Sequence, residues 1–108
     1  MARWDVRLSP SAQRDLAKII DHTVERFGPR QAKVYRKTLM MALAALRSGP
    51  RVRDSVLQDN LALGLRSLHV ARRGRRGRHQ ILYREGPDRT IEVLRILHDA
   101  MDLKQHFE

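Results

Sequence analysis

The chain has no cysteine, which removes disulfides and thiolate zinc sites and suits a reducing compartment. It has no apolar run approaching the roughly 20 residues of a membrane span. Its opening "MARWDVRLSP" has no apolar core of signal-peptide length. The expectation is a cytoplasmic protein without a membrane partner. Acidic residues are scarce: 12 Asp and Glu face 22 Lys and Arg, a formal net charge of +10. Such a field attracts polyanions and acidic proteins, whose binding relieves the self-repulsion of the compact chain. Also missing are internal repeats, linkers, metal-ligand spacings, a Walker loop, a dinucleotide fingerprint and a nucleophile elbow, so neither metal nor cofactor is expected.

What is present suits a single domain over residues 1–108, with 42% hydrophobic residues to fill one modest core. "RWDVRL" (3–8) alternates Trp4, Val6 and Leu8 on one side, the period of a half-buried strand. Ser9 then suits a helix N-cap, with Pro10 at the first helical position. Ala12, Leu16, Ile19, Ile20, Thr23 and Phe27 fall on one helical face, and Gly28-Pro29 ends that helix. A second helix, from about Arg30 to Ser48, turns Ala32, Tyr35, Leu39, Leu43 and Leu46 inward. Met40 and Met41 broaden this stripe and read as core fillers, although soft methionine surface also suits partner helices. So short a link makes the two helices an antiparallel hairpin.

Residues 51–64 show no strong period and read as a surface loop. Three strand candidates follow: "LRSLHVA" (65–71), "RHQILYR" (78–84) and "TIEVLRIL" (90–97), with turn chemistry in "EGPDR". "HDAMDLKQHFE" closes the chain as a short helix with Asp99 as its expected cap. The fold class is α+β: an N-terminal strand, an antiparallel helical hairpin, a three-stranded antiparallel meander and a short C-terminal helix. The hairpin covers one face of the resulting four-stranded sheet and leaves the other open.

With metals and nucleophile motifs excluded, acid–base chemistry from histidines and arginines remains. His22 reads as solvated. His69 and His79 sit on neighbouring strands, where His79 reads as a packed histidine organising the sheet. His98, at a strand exit, suits either a working group or a local hydrogen bond. Arg66, Arg84 and Arg95 are embedded in strands, fixed in direction for an anion or for a salt bridge with Asp99, Asp102 or Glu92. Five arginines between 72 and 78, around Gly74 and Gly77, read as a solvated, flexible hairpin tip that supplies affinity without geometry.

"GRHQILYRE" followed by "IEVLRILHDAMD", with "LSPSAQRDLAKI" near the N-terminus, resembles the RelE/ParE superfamily of type II toxins, specifically its ParE branch. The resemblance spans nearly the whole chain and is strongest from Gly77 to Asp102. It implies a toxin that inhibits DNA gyrase by binding and is neutralised, in a hetero-oligomer, by a ParD-like antitoxin with an acidic C-terminal segment. The target-binding residues it implies are His79, Tyr83, Arg84, Arg95, His98, Met101 and Asp102. An antitoxin helix is expected against Tyr35, Leu39 and Met40, with extended chain at a sheet edge. The alternative is a RelE-like mRNA endonuclease acting on the ribosome with Arg66, Arg84 and His98. Against it, the first meander strand offers Arg66 and no lysine, and no tyrosine follows Tyr83; His98 or His106 would have to substitute.

Overall fold

A computed structural model describes residues 3–107, with the side chains of His106 and Phe107 outside the description. Strand β1 (Asp5–Leu8) leads into helix α1 (Pro10–Ala45), which passes through a 3-10 turn at Leu46–Ser48. Strands β2 (Val56–Leu57), β3 (Arg66–His69), β4 (His79–Gly86) and β5 (Thr90–His98) follow, and α2 (Leu103–Phe107) closes the chain.

The 36 residues of α1 are two arms. A straight helix of that length would reach about 54 Å, beyond the 39 Å longest dimension of the molecule. Gly28 breaks it with φ 87° and ψ 167°, and Pro29 opens the second arm. Both ends of the hairpin return to β1. Ser9 Oγ accepts from Ala12 N–H at 3.0 Å, the cap expected from sequence, while donating to Leu94 O at 2.8 Å. At the other end Trp4 N–H donates to Arg47 O at 3.0 Å. Gly49 lets the chain turn there, since a Cβ would stand 3.1 Å from Trp4 Nε1.

The sheet runs β1-β5-β4-β3-β2, with β1 parallel to β5 and every other pair antiparallel. A bulge between Leu82 and Tyr83 leaves Leu94 as the extra residue on β5. The core between hairpin and sheet joins Ala12, Leu39, Leu43 and Leu46 to Leu68, Ile81, Tyr83 and Val93.

Four expectations change. The 51–64 segment is not all loop: Val56 and Leu57 pair with Ser67 and Arg66, making a fifth, edge strand. The far face of the sheet is not open, because Leu61, Ala62 and Leu103 cover Leu65, Leu82 and Leu97 there. Phe27 is 65% exposed, and Met40 and Met41 also face solvent, since the hairpin offers only one flank to the sheet. Asp99 does not cap α2. Asp102 Oδ1 accepts from Lys104 N–H instead.

Candidate functional site

Antiparallel register brings three histidines to one end of the sheet. His79 opens β4 opposite His98, which closes β5, while His69 closes β3 opposite Gln80. The two opposed imidazoles meet edge to face, ring centroids 5.3 Å apart and planes at 83°. From the second helical arm Tyr35 reaches down to them, its Oη 2.6 Å from His79 Nδ1.

The hydrogen bonds assign the tautomers. Tyr35 Oη accepts from Arg78 N–H at 3.1 Å and lies 2.6 Å from His79 Nδ1; with the phenol proton directed at that nitrogen, the His79 proton sits on Nε2. His98 Nδ1 accepts from Ala100 N–H at 3.0 Å, which likewise places its proton on Nε2. His69 Nδ1 accepts from Ala71 N–H, and its Nε2–H donates to Asp99 Oδ2 at 2.9 Å. Burial, reinforced by the neighbouring His98, pushes His79 down to about 4. Burial also raises the Tyr35 phenol. Both groups are therefore neutral near pH 7. Asp99 is held well below the usual carboxylate range, first by Arg78 at 3.0 Å and then by His69. It ties the ends of three strands together.

The arginine segment is not a free hairpin tip. Arg75 lies across the second arm, donating from Nε to Thr38 Oγ1 at 2.8 Å and from its terminal nitrogen to Val34 O at 3.2 Å. Arg72 turns inward and bonds Arg53 O, and Arg78 is held by Asp99. Gly77 packs so closely that a Cβ would stand 2.6 Å from Val70 Cγ2. Only Arg73 and Arg76 of the five project without a bonded partner among the described residues. Between this segment and both helical arms lies a groove of about 810 Å³, with Tyr35, His79 and His98 on its floor.

The remaining sequence-derived residues are spread over the molecule. Along β4, Ile81 and Tyr83 face the hairpin, whereas Leu82 packs on the far face. Arg84, adjacent to Tyr83, pairs with Glu92 at 3.0 Å. Tyr83 is completely buried and donates to Pro50 O at 2.6 Å, so it supports the core and offers no surface. Arg66 bonds Ser55 Oγ at 2.9 Å. Its register partner Tyr83 is four residues from His79, roughly 13 Å along the strand. Arg66, Arg84 and His98 thus do not converge. Arg95 binds Asp15, with Nε–Oδ2 at 2.7 Å, and not any of the three acids anticipated. Met101 and Asp102 are exposed near the strand ends. Leu39 lies wholly inside the core, which corrects its assignment to a docking face; Met40 beside it is accessible. His106 lies outside the described side chains.

Asp15 escaped the sequence reading. Its position three residues after Ala12 and four before Ile19 was the available signal, because an acid on an inward helical face needs a cation.

The matched family model, described as ParE toxin of type II toxin-antitoxin system, parDE, covers residues 6–103. The chain belongs to the ParE toxin family. It is 34% identical over 99 residues to toxin ParE1 of Mycobacterium tuberculosis, covering 92% of this chain and 93% of that one. It is 30% identical over 100 residues to toxin ParE1 of Caulobacter vibrioides, covering 93% and 94%. In fold it resembles a solved chain titled "Chromosomal ParDE TA system from P. aeruginosa", with a TM-score of 0.73 at 20% identity, covering 91% of this chain and 98% of that one. The ParE branch read from "GRHQILYRE" and "IEVLRILHDAMD" is thereby established.

Proposed function

We propose that this ParE-family toxin inhibits DNA gyrase by adhesion in the cytoplasm and is silenced by a ParD-like antitoxin. Family membership carries the reading. The dispersal of Arg66, Arg84 and His98 supports it over mRNA cleavage, since general acid–base work on a phosphodiester needs its groups within hydrogen-bond reach of one reacting centre. The target surface we favour is the strand-end corner, where His98, Met101 and Asp102 are accessible beside Arg78. The antitoxin is expected to lay an acidic amphipathic segment along the second arm, past Met40 and Met41 toward Tyr35. The net charge of +10 and the exposed methionines suit such a partner.

Purified toxin added to a gyrase supercoiling reaction should stop supercoiling or trap cleaved DNA, and message in a translating extract should remain intact by primer extension. Codon-spaced cuts in ribosome-bound message with unimpaired gyrase would reverse the assignment.

A further inference from the structure

The groove under the arginine segment carries a charge imbalance. Its described lining includes four arginines and three histidines and no carboxylate. Arg75 and Arg78 are engaged internally, but Arg26 and Arg76 have no ion pair or hydrogen bond among the described residues. On the floor, His79 and His98 have both spent Nδ1 as an acceptor, so each keeps an Nε2–H donor with no acceptor among the described residues. Two guanidiniums and two imidazole donors thus share one recess whose described lining holds no carboxylate; Asp99 at its edge, 3.7 Å from His98 Nδ1, is already engaged by Arg78 and His69. Phosphate oxygens satisfy such a donor set.

The walls narrow the choice. Phe27 is 65% exposed and Val34 51% exposed on the same groove, costly surfaces unless something apolar covers them. A ligand with both a phosphate and a flat apolar face fits this arrangement, and an unpaired nucleotide has both. A duplex hides its base faces, whereas a single strand can stack a base on an aromatic ring while its backbone follows the cations. The groove is open, and Lys33, Lys37 and Arg73 are exposed on the two segments that flank it, so the positive surface extends beyond one nucleotide.

We propose that this groove binds single-stranded nucleic acid, with Arg26 and Arg76 on the backbone, the His79 and His98 Nε2–H groups on one phosphate, and Phe27 against a base. No bond is cleaved in this role; the groove shares His98 and Arg78 with the proposed gyrase surface, but Arg26, Arg76 and Phe27 lie outside that surface and test this reading alone.

The test uses the full chain and a short fluorescein-labelled oligothymidylate, read by anisotropy at fixed salt. A chain of this charge binds any polyanion weakly, so the comparison is between variants of equal charge. Replacing Arg26 and Arg76 together by alanine should weaken binding about tenfold or more and flatten its salt dependence. Replacing Arg14 and Arg51, which lie outside the groove, should change it less than about twofold. Phe27→Ala should weaken it about tenfold, as expected for loss of base stacking. Thermal melting of each variant excludes unfolding. Equal losses in both arginine pairs would reduce the effect to bulk charge and overturn the proposal. A mononucleotide bound as tightly as the oligomer, or tight binding of a glutamate-rich peptide with oligomer binding unaffected by Phe27→Ala, would overturn it too. The gyrase assay on Arg26→Ala/Arg76→Ala is a separate readout, so the two readings can fail independently.

Discussion

The Tyr35 hydroxyl joins helix to sheet by donating to His79 Nδ1 over 2.6 Å while accepting from the Arg78 amide at 3.1 Å. One side chain therefore satisfies the first residue of β4 and the last residue of the arginine segment. Tyr35→Phe preserves the ring and strands an acceptor and a donor in a half-buried site. The expected cost is about 1–3 kcal/mol of stability. Urea unfolding of the two proteins measures it directly, and an unchanged midpoint would mean that water replaces the phenol at no cost.

The same imidazole sets a pH dependence. An unfolded histidine titrates near 6.5, whereas folded His79 titrates at about 4. Between these values the unfolded chain binds more protons, so stability rises with pH and falls as the solution is acidified from about 6.5 to about 4. Below that range both states are protonated and the His79 contribution is spent. Partial exposure limits the loss to about 1–3 kcal/mol. Asp99 works in a lower window: its folded pKa is depressed, so its contribution disappears only as the pH drops below the ordinary aspartate range. His79→Gln should remove the upper slope and leave the lower one, which denaturation midpoints across pH resolve.

Asp15 and Arg95 form the joint that replaces β1 where that strand ends. Asp15 accepts from both Arg95 Nε and the Ile96 amide, at 2.7 and 2.9 Å. Asp15→Ala should cost about 2–3 kcal/mol, because the Ile96 N–H loses its acceptor along with the ion pair. Asp15→Asn keeps an oxygen for that amide and should recover part of the loss. Equal destabilisation by both would assign the whole effect to charge.

Much of the fold was legible in the residues because the signals were local. Ser9-Pro10 capped the first arm, Gly28-Pro29 broke the helix, and β-branched and aromatic enrichment in "RHQILYR" and "TIEVLRIL", with the turn chemistry of "EGPDR" between them, marked the two central strands. The site was less legible because it depends on register and packing. No spacing rule places Tyr35 on a histidine 44 residues away, nor tells that Asp15 and not Asp99 receives Arg95. Phe27 and Met40 were drawn inward by helical period alone, which identifies a stripe but not how much of it the sheet covers. The two-residue strand β2 is too short to produce a period of its own.

The two glycines Gly28 and Gly77 offer opposite tests of what a glycine does. Gly28 has open space around its absent Cβ, so Gly28→Ala meets no neighbour and is opposed only by its backbone, whose φ 87° and ψ 167° lie in a region that side chains other than glycine hardly enter, at about 1–3 kcal/mol. Gly77 would place a Cβ 2.6 Å from Val70 Cγ2 and 3.0 Å from Tyr35 Oη. Val70 is buried and short, so the segment itself must lift, and Gly77→Ala should cost about 1–3 kcal/mol. Because Gly77 adjoins Arg78, that movement also loosens the contact between the Arg78 amide and Tyr35. Hydrogen exchange should therefore show faster exchange at residues 74–79 in Gly77→Ala and only at the helix break in Gly28→Ala. Similar exchange patterns in the two variants would mean that the arginine segment is not fastened at Gly77, and that the side-chain bonds of Arg72, Arg75 and Arg78 hold it instead.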